Sequence, residues 1–176
     1  KNGEYRSIEW RSFPCGSDIY AIARDITERL VILERLKESE SLYRNLINTM
    51  NETVSLSQVV FDANGKPIDY LVHDVNPAWE SVFGIPRDQV VGRRATEIAK
   101  TAEPEFLQQF AAVAEGAPPL QFEVNNPRYQ RHALVSVTSP RPGYFVAVAS
   151  NISERVKAEQ QLERALRDLT AKGQEL

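Results

Sequence analysis

The chain has 176 residues, of which 42% are apolar and 26% charged, with 21 basic against 24 acidic side chains. That length allows one domain of ~100–150 residues plus further segments, and the composition argues against a disordered, collagen-like or disulfide-stapled chain. A net charge of −3 gives nucleic acid or an anionic membrane no positive field to seek, the single Cys15 excludes an internal disulfide, a CxxC pair or a multi-thiolate metal centre, and no apolar run reaches the ~18 residues of a membrane span. A cytoplasmic location is expected.

The chain repeats part of itself. Shifting it by 126 residues without gaps lays the stretch from Pro14 to Leu36 on the stretch from Pro140 to Leu162, with seven of twenty-three positions identical. The shift is about one domain long, so residues 1–26 are expected to be the closing β-hairpin of one unit, followed by a linker helix over 27–41, a complete unit over 42–152 and a C-terminal helix over 153–176. Each copy is an apolar, β-rich run ending in an N-cap signal, Asp25-Ile-Thr27-Glu28 in the first and Asn151-Ile-Ser153-Glu154 in the second. In both, a capping box is expected, with the Asx side chain bonding the helix and the Glu reaching back.

After the first cap, Leu30, Leu33, Leu36, Tyr43 and Ile47 recur at helical spacing, interrupted by Glu40. A strand from Val54 to Asp62, a tight turn through Asn64-Gly65 with positive φ, and a returning strand from Ile68 to Val75 read as a hairpin. Asn76-Pro77 then starts a helix that stops at Gly84, because Asn caps and Pro is favoured in the first turn. A short helix and loop run from Pro86 to Gly92. Phe106, Phe110 and Val113 predict an amphipathic helix of about three turns that ends at Gly116. Leu120, Phe122 and Val124 alternate with polar residues, and two more strands, Ala133 to Val137 and Tyr144 to Ala149, flank a Pro-Gly turn. Ile152, Leu162, Leu166, Leu169 and Leu176 fit a heptad seam after the second cap, with Glu159 and Gly173 at two seam positions. The expected class is α+β, a five-stranded antiparallel sheet with helices on one face and long flanking helices.

The order of hairpin, Val75-Asn76-Pro77-Ala78-Trp79-Glu80, Phe83-Gly84, Val91-Gly92 and a final strand closing on Asn151-Ile152-Ser153-Glu154-Arg155 resembles a PAS domain with its C-terminal PAC portion, over about Leu42 to Arg155. Residues Tyr5 to Ser12 and Ala23 to Arg29 resemble the end of a preceding PAS domain. The resemblance implies a sensory or dimerising module of a bacterial signalling protein, in which a cupped sheet and its helices enclose a cavity. Its flanking helices would join a homodimer and carry the signal to an output domain in the same chain. A sensor histidine kinase is the preferred parent; a diguanylate cyclase and a purely structural dimerisation domain are the alternatives. The usual closing Asp-Ile-Thr reads Asn151-Ile152-Ser153 here, so a salt bridge that an Asp would make is lost.

Chemistry is sparse. His73, His132 and Cys15 fall on three strands at no metal-ligand spacing. Asp62-x-Asn64-Gly65 is similar to the start of a calcium loop but lacks the closing Glu. A haem-binding relative would need an axial His between Asn76 and Gly116, and a flavin-adduct relative a Cys in those helices; neither residue is there, so no cofactor is expected. Nor does any catalytic constellation appear, and the chain is not expected to be an enzyme. If the domain binds a small molecule, the candidate contacts are Trp79, Phe83, Phe106, Phe110 and Phe122, with Tyr70 and His73 as polar anchors; filling the core is the commoner fate of apolar residues at such spacing. Asp25, Thr27, Glu28, Asn151, Ser153 and Glu154 are the candidate signal-relay caps.

Overall fold

The computed structural model describes residues 5–100, 106–126 and 131–173, and the chain divides into two units, residues 1–46 and 47–176. In the first unit, strands β1 (Ile8–Cys15) and β2 (Asp18–Asp25) pair antiparallel and lead into helix α1 (Thr27–Thr49). The strands meet at a two-residue turn, Gly16-Ser17, where Gly16 takes φ 64, the first-position glycine of a II′ hairpin. Every residue of the hairpin is exposed, including Trp10, Phe13, Ile19 and Tyr20. Helix α1 runs past the expected boundary at residue 41, and its Leu30, Leu36, Tyr43 and Ile47 remain exposed.

The second unit is a five-stranded antiparallel sheet with the strand order β4-β3-β7-β6-β5, formed by β3 (Thr53–Phe61), β4 (Pro67–Val75), β5 (Leu120–Asn126), β6 (Arg131–Thr138) and β7 (Tyr144–Asn151). Helices α2 (Pro77–Phe83), α3 (Ala95–Ala99) and α4 (Leu107–Ala114) lie between β4 and β5 in the chain, and α5 (Ser153–Gly173) follows β7. The expected α+β sheet of five antiparallel strands is therefore present. Helix α4 buries Leu107, Phe110, Ala111, Val113 and Ala114, and the last four pack with Val59, Val137 and Phe145 of the sheet. A second cluster joins Val72 and Val75 to Val90.

Local details depart from the sequence reading for identifiable reasons. In the β3–β4 turn only Gly65 has positive φ (78); the turn is held instead by the Asp62 carboxylate, which accepts from the Asn64 and Lys66 amides at 2.8 Å. This Asx-type bonding lets Asn64 stay at negative φ. The expected three-turn helix is an eight-residue α4, because Phe106 sits at its entrance with φ 57 rather than inside it. Between Pro86 and Gly92 the chain makes a single 3₁₀ turn, Arg87–Gln89. Helix α3 has no apolar periodicity to announce it. It is anchored by the buried Asp69, whose carboxylate accepts from Thr96 Oγ1 at 2.6 Å.

Candidate functional site

Two features of the second unit converge at one end of the sheet: a cavity, and the junction where β7 becomes α5. The junction is built in the same way in both units. In the first, Ile26 N donates to Ser7 O (2.9 Å), Ser7 N to Thr27 Oγ1 (2.7 Å), and Thr27 N to Asp25 Oδ1 (3.0 Å). In the second, Ile152 N donates to His132 O (2.8 Å), His132 N to Ser153 Oγ (3.0 Å), and Ser153 N to Asn151 Oδ1 (3.0 Å). The pairing registers match as well, with Ile8↔Asp25 through Phe13↔Tyr20 corresponding to Ala133↔Asn151 through Thr138↔Val146.

This correspondence corrects the ungapped repeat. The offset is 126 residues along β2 and β7 but 125 along β1 and β6, because the second hairpin has one more residue in its turn. It also corrects the capping boxes. The helices begin at Thr27 and Ser153, one residue later than a cap at Asp25 or Asn151 requires, so each Asx oxygen bonds the amide two residues on, as in an Asx-turn. Among the described residues neither Glu28 nor Glu154 makes a return bond. The Thr27 and Ser153 hydroxyls take over, each tying the helix start to the preceding strand. Sequence reasoning named these residues but missed their partners, since Ser7 and His132 lie some twenty positions away and donate through the backbone.

The two junctions differ in charge. Arg6 Nη1 lies 3.1 Å from Asp25 Oδ2, and the Asp25 carboxyl is held below its ordinary value, first by its bonds to Thr27 and then by Arg6. At the corresponding positions of the second unit stand Arg131 and the neutral Asn151, and among the described residues Arg131 has no ion-pair partner. The helix start is tied instead by Arg155, which pairs with Glu123 of β5.

Both Arg131 and Asn151 line the cavity, which has a volume of about 130 Å³. Its walls are Val82 and Phe83 of α2 with Val124, Ala133, Val135 and Ala149 of the sheet; Asn51, Thr53 and Ser150 complete it. Of the seven candidate ligand contacts, Phe83 alone lines this cavity. Trp79 stacks on Phe83 at 4.5 Å and packs against the Val72–Val75–Val90 cluster. Tyr70 and Phe110 meet Phe145 edge-on and tilted, at 5.3 and 4.8 Å, and Phe106 packs on Phe122 at 4.7 Å. These four aromatic residues of the candidate set pack into or against the core cluster.

His73 does not share a face with Val75 as strand parity requires. A bulge opposite Leu56 and Ser57 leaves it as the extra residue, so Val72 and Val75 are both buried while His73 Nε2 turns to Gln58 Oε1 (3.0 Å) and its ring stacks near Tyr144. Asn76 does more than cap. Its Oδ1 accepts from Val54 N (2.9 Å) and Trp79 N (3.1 Å), while Nδ2 donates to Ile47 O (3.1 Å) and Glu52 O (2.9 Å). Among the described residues no group of His, Cys, Asp and Glu is placed to hold a metal ion, and no helix is long and apolar enough to cross a membrane.

Solved structures similar to the chain include a domain of the sensory box sensor histidine kinase/response regulator from Geobacter sulfurreducens (20% identity, 65% of this chain and 95% of that one, TM-score 0.45). Another is a domain of an HTR-like protein from Haloarcula marismortui (19% identity, 58% and 99%, TM-score 0.41). The PAS domain of Bordetella pertussis BvgS is a third (19% identity, 77% and 98%, TM-score 0.44). No curated protein matches the chain significantly. The model of the family described as PAS fold matches residues 60–157, more than half of the sequence, and with the sheet order and helix placement above, the chain belongs to the PAS fold family.

Proposed function

We propose that the chain is a non-catalytic signal-input module of a cytoplasmic sensor histidine kinase. In this reading it dimerises through α1 and α5 and passes a change in its sheet to an output domain beyond α5. The observation that carries the reading is the junction. The β6 backbone holds both ends of the turn into α5, at Ile152 N and Ser153 Oγ, so a shift of β6 relative to β7 must move the first turn of the helix. The helices have surface to offer a partner: Leu162, Leu166 and Leu169 are 54–68% exposed, and such a seam gains from burial in a coiled coil.

Sedimentation tests the dimer. The chain should be dimeric at tens of micromolar and a Leu162→Lys/Leu166→Lys variant monomeric; a monomeric wild type overturns the proposal. A structural dimeriser without a ligand is the second reading, favoured by the close packing of Tyr70, Phe110 and Phe145. Residues following α5 would separate the parents, as a phospho-accepting His box for a kinase or a Gly-Gly-acidic-acidic-Phe loop for a diguanylate cyclase.

A further inference from the structure

The two copies of the junction share their bonds and register and differ in one charge, and that difference falls on the cavity. In the first unit Arg6 is neutralised by Asp25 at 3.1 Å. In the second, Arg131 occupies the place of Arg6, two residues before the strand partner of the Asx residue, and that Asx residue is the uncharged Asn151. Arg131 and Asn151 both line the cavity.

We propose that the cavity binds a small monocarboxylate whose anionic head pairs with Arg131 beside Asn151, supplying the charge that Asp25 supplies to Arg6, and whose apolar body lies against Phe83 and Val135. A guanidinium presents a planar fork that matches a carboxylate, a pairing stronger than one between neutral groups. The neutral amide of Asn151 adds a donor where an aspartate would repel the ligand. Size limits the body: about 130 Å³ is below the ~300 Å³ at which drug-sized pockets begin and close to the ~150 Å³ that holds a benzene ring. A ligand so placed touches the residue before His132 and the residue whose Oδ1 accepts from Ser153 N, so its binding acts on the start of α5. The inference rests on the signal-input reading for its consequence, but not for the binding itself.

Benzoate is the probe, with benzamide as its neutral counterpart, and binding to the whole chain is measured by calorimetry and by the rise in melting temperature that binding to the folded state must produce. Benzoate should bind the wild type at millimolar concentration or below, and benzamide about tenfold or more weakly, as loss of a charge-assisted contact implies. Arg131→Gln should lose the preference for the anion. Asn151→Asp keeps the Asx-turn bond to Ser153 N and should abolish benzoate binding by supplying the internal carboxylate found in the first unit. No benzoate binding in a folded wild type, equal binding of benzamide, or unchanged binding in either variant overturns the proposal. Those outcomes leave the dimer and relay reading standing, whereas a monomeric chain that binds benzoate would overturn that reading and keep this one.

Discussion

Asn76 is where the second unit is most exposed to a single substitution. It is 1% exposed, and its amide makes four hydrogen bonds, to Val54 N, Trp79 N, Ile47 O and Glu52 O, joining the last turn of α1, the entry to β3 and the first turn of α2. Each such bond contributes about 0.5–1.5 kcal/mol net, so Asn76→Ala should cost roughly 2–6 kcal/mol, against the ~1 kcal/mol typical of a simple N-cap and a total stability of ~5–15 kcal/mol. With a urea slope of about 2 kcal/mol/M, the unfolding midpoint should fall by about 1–3 M. Trp79 fluorescence in a Trp10→Phe background reports the second unit. Asn76→Asp keeps both accepted bonds but turns an anion toward two carbonyls. Its carboxyl is therefore pushed up, and the variant should gain stability as the pH falls and the carboxyl becomes a donor. Ser81→Ala, which removes only an exposed hydroxyl donating to Pro77 O, is the control. If Asn76→Ala costs no more than Ser81→Ala, Asn76 does not join the three elements and the reasoning fails.

Further outcomes follow from the same geometry. Phe145→Ala, at 1% exposure against Tyr70 and Phe110, should cost about 3–5 kcal/mol by urea unfolding, whereas Phe13→Ala on the exposed hairpin should leave that transition unmoved. The Asp25 carboxyl is held below its ordinary value by Thr27 and then Arg6; its contribution is present above the ordinary aspartate range and is lost as pH falls through the lowered value. The Thr27 amide resonance should therefore titrate in acid, and the Ser153 amide, bonded to the neutral Asn151, should show no such titration. Ser153→Ala removes the acceptor of His132 N and should raise hydrogen exchange at His132 and in the first turn of α5, with α2 unchanged.

Strand periodicity, the Asn76-Pro77 start, the Gly84 stop and the alternation through Phe122 were all legible in the sequence, because each depends on residues close in the chain. The repeat was legible too, and it led to the junction. What escaped depends on distant partners. Helix α3 exists because Asp69 reaches Thr96 from another element; the bulge that turns His73 away is a property of the β3–β4 register; and the Ser153 hydroxyl finds a backbone amide twenty-one residues away. Aromatic residues at regular spacing could not say whether they enclose a space or fill one. Tyr70, Phe110 and Phe122 pack into or against the core cluster, and the described cavity lies beside Phe83, lined largely by small residues without a distinctive pattern.

The central claim is that the sheet and α5 move together. Cys15 is the sole cysteine, so a Cys15→Ser/Leu166→Cys variant carries one thiol on the α5 seam, and its rate of disulfide cross-linking between chains reads the packing of the two helices. Filling the cavity with Val135→Phe, once circular dichroism shows the variant folded, should change that rate. Adding Ser153→Ala should then return the rate toward that of the unfilled protein by releasing the helix from β6. The same rate with the cavity open and filled would contradict the account.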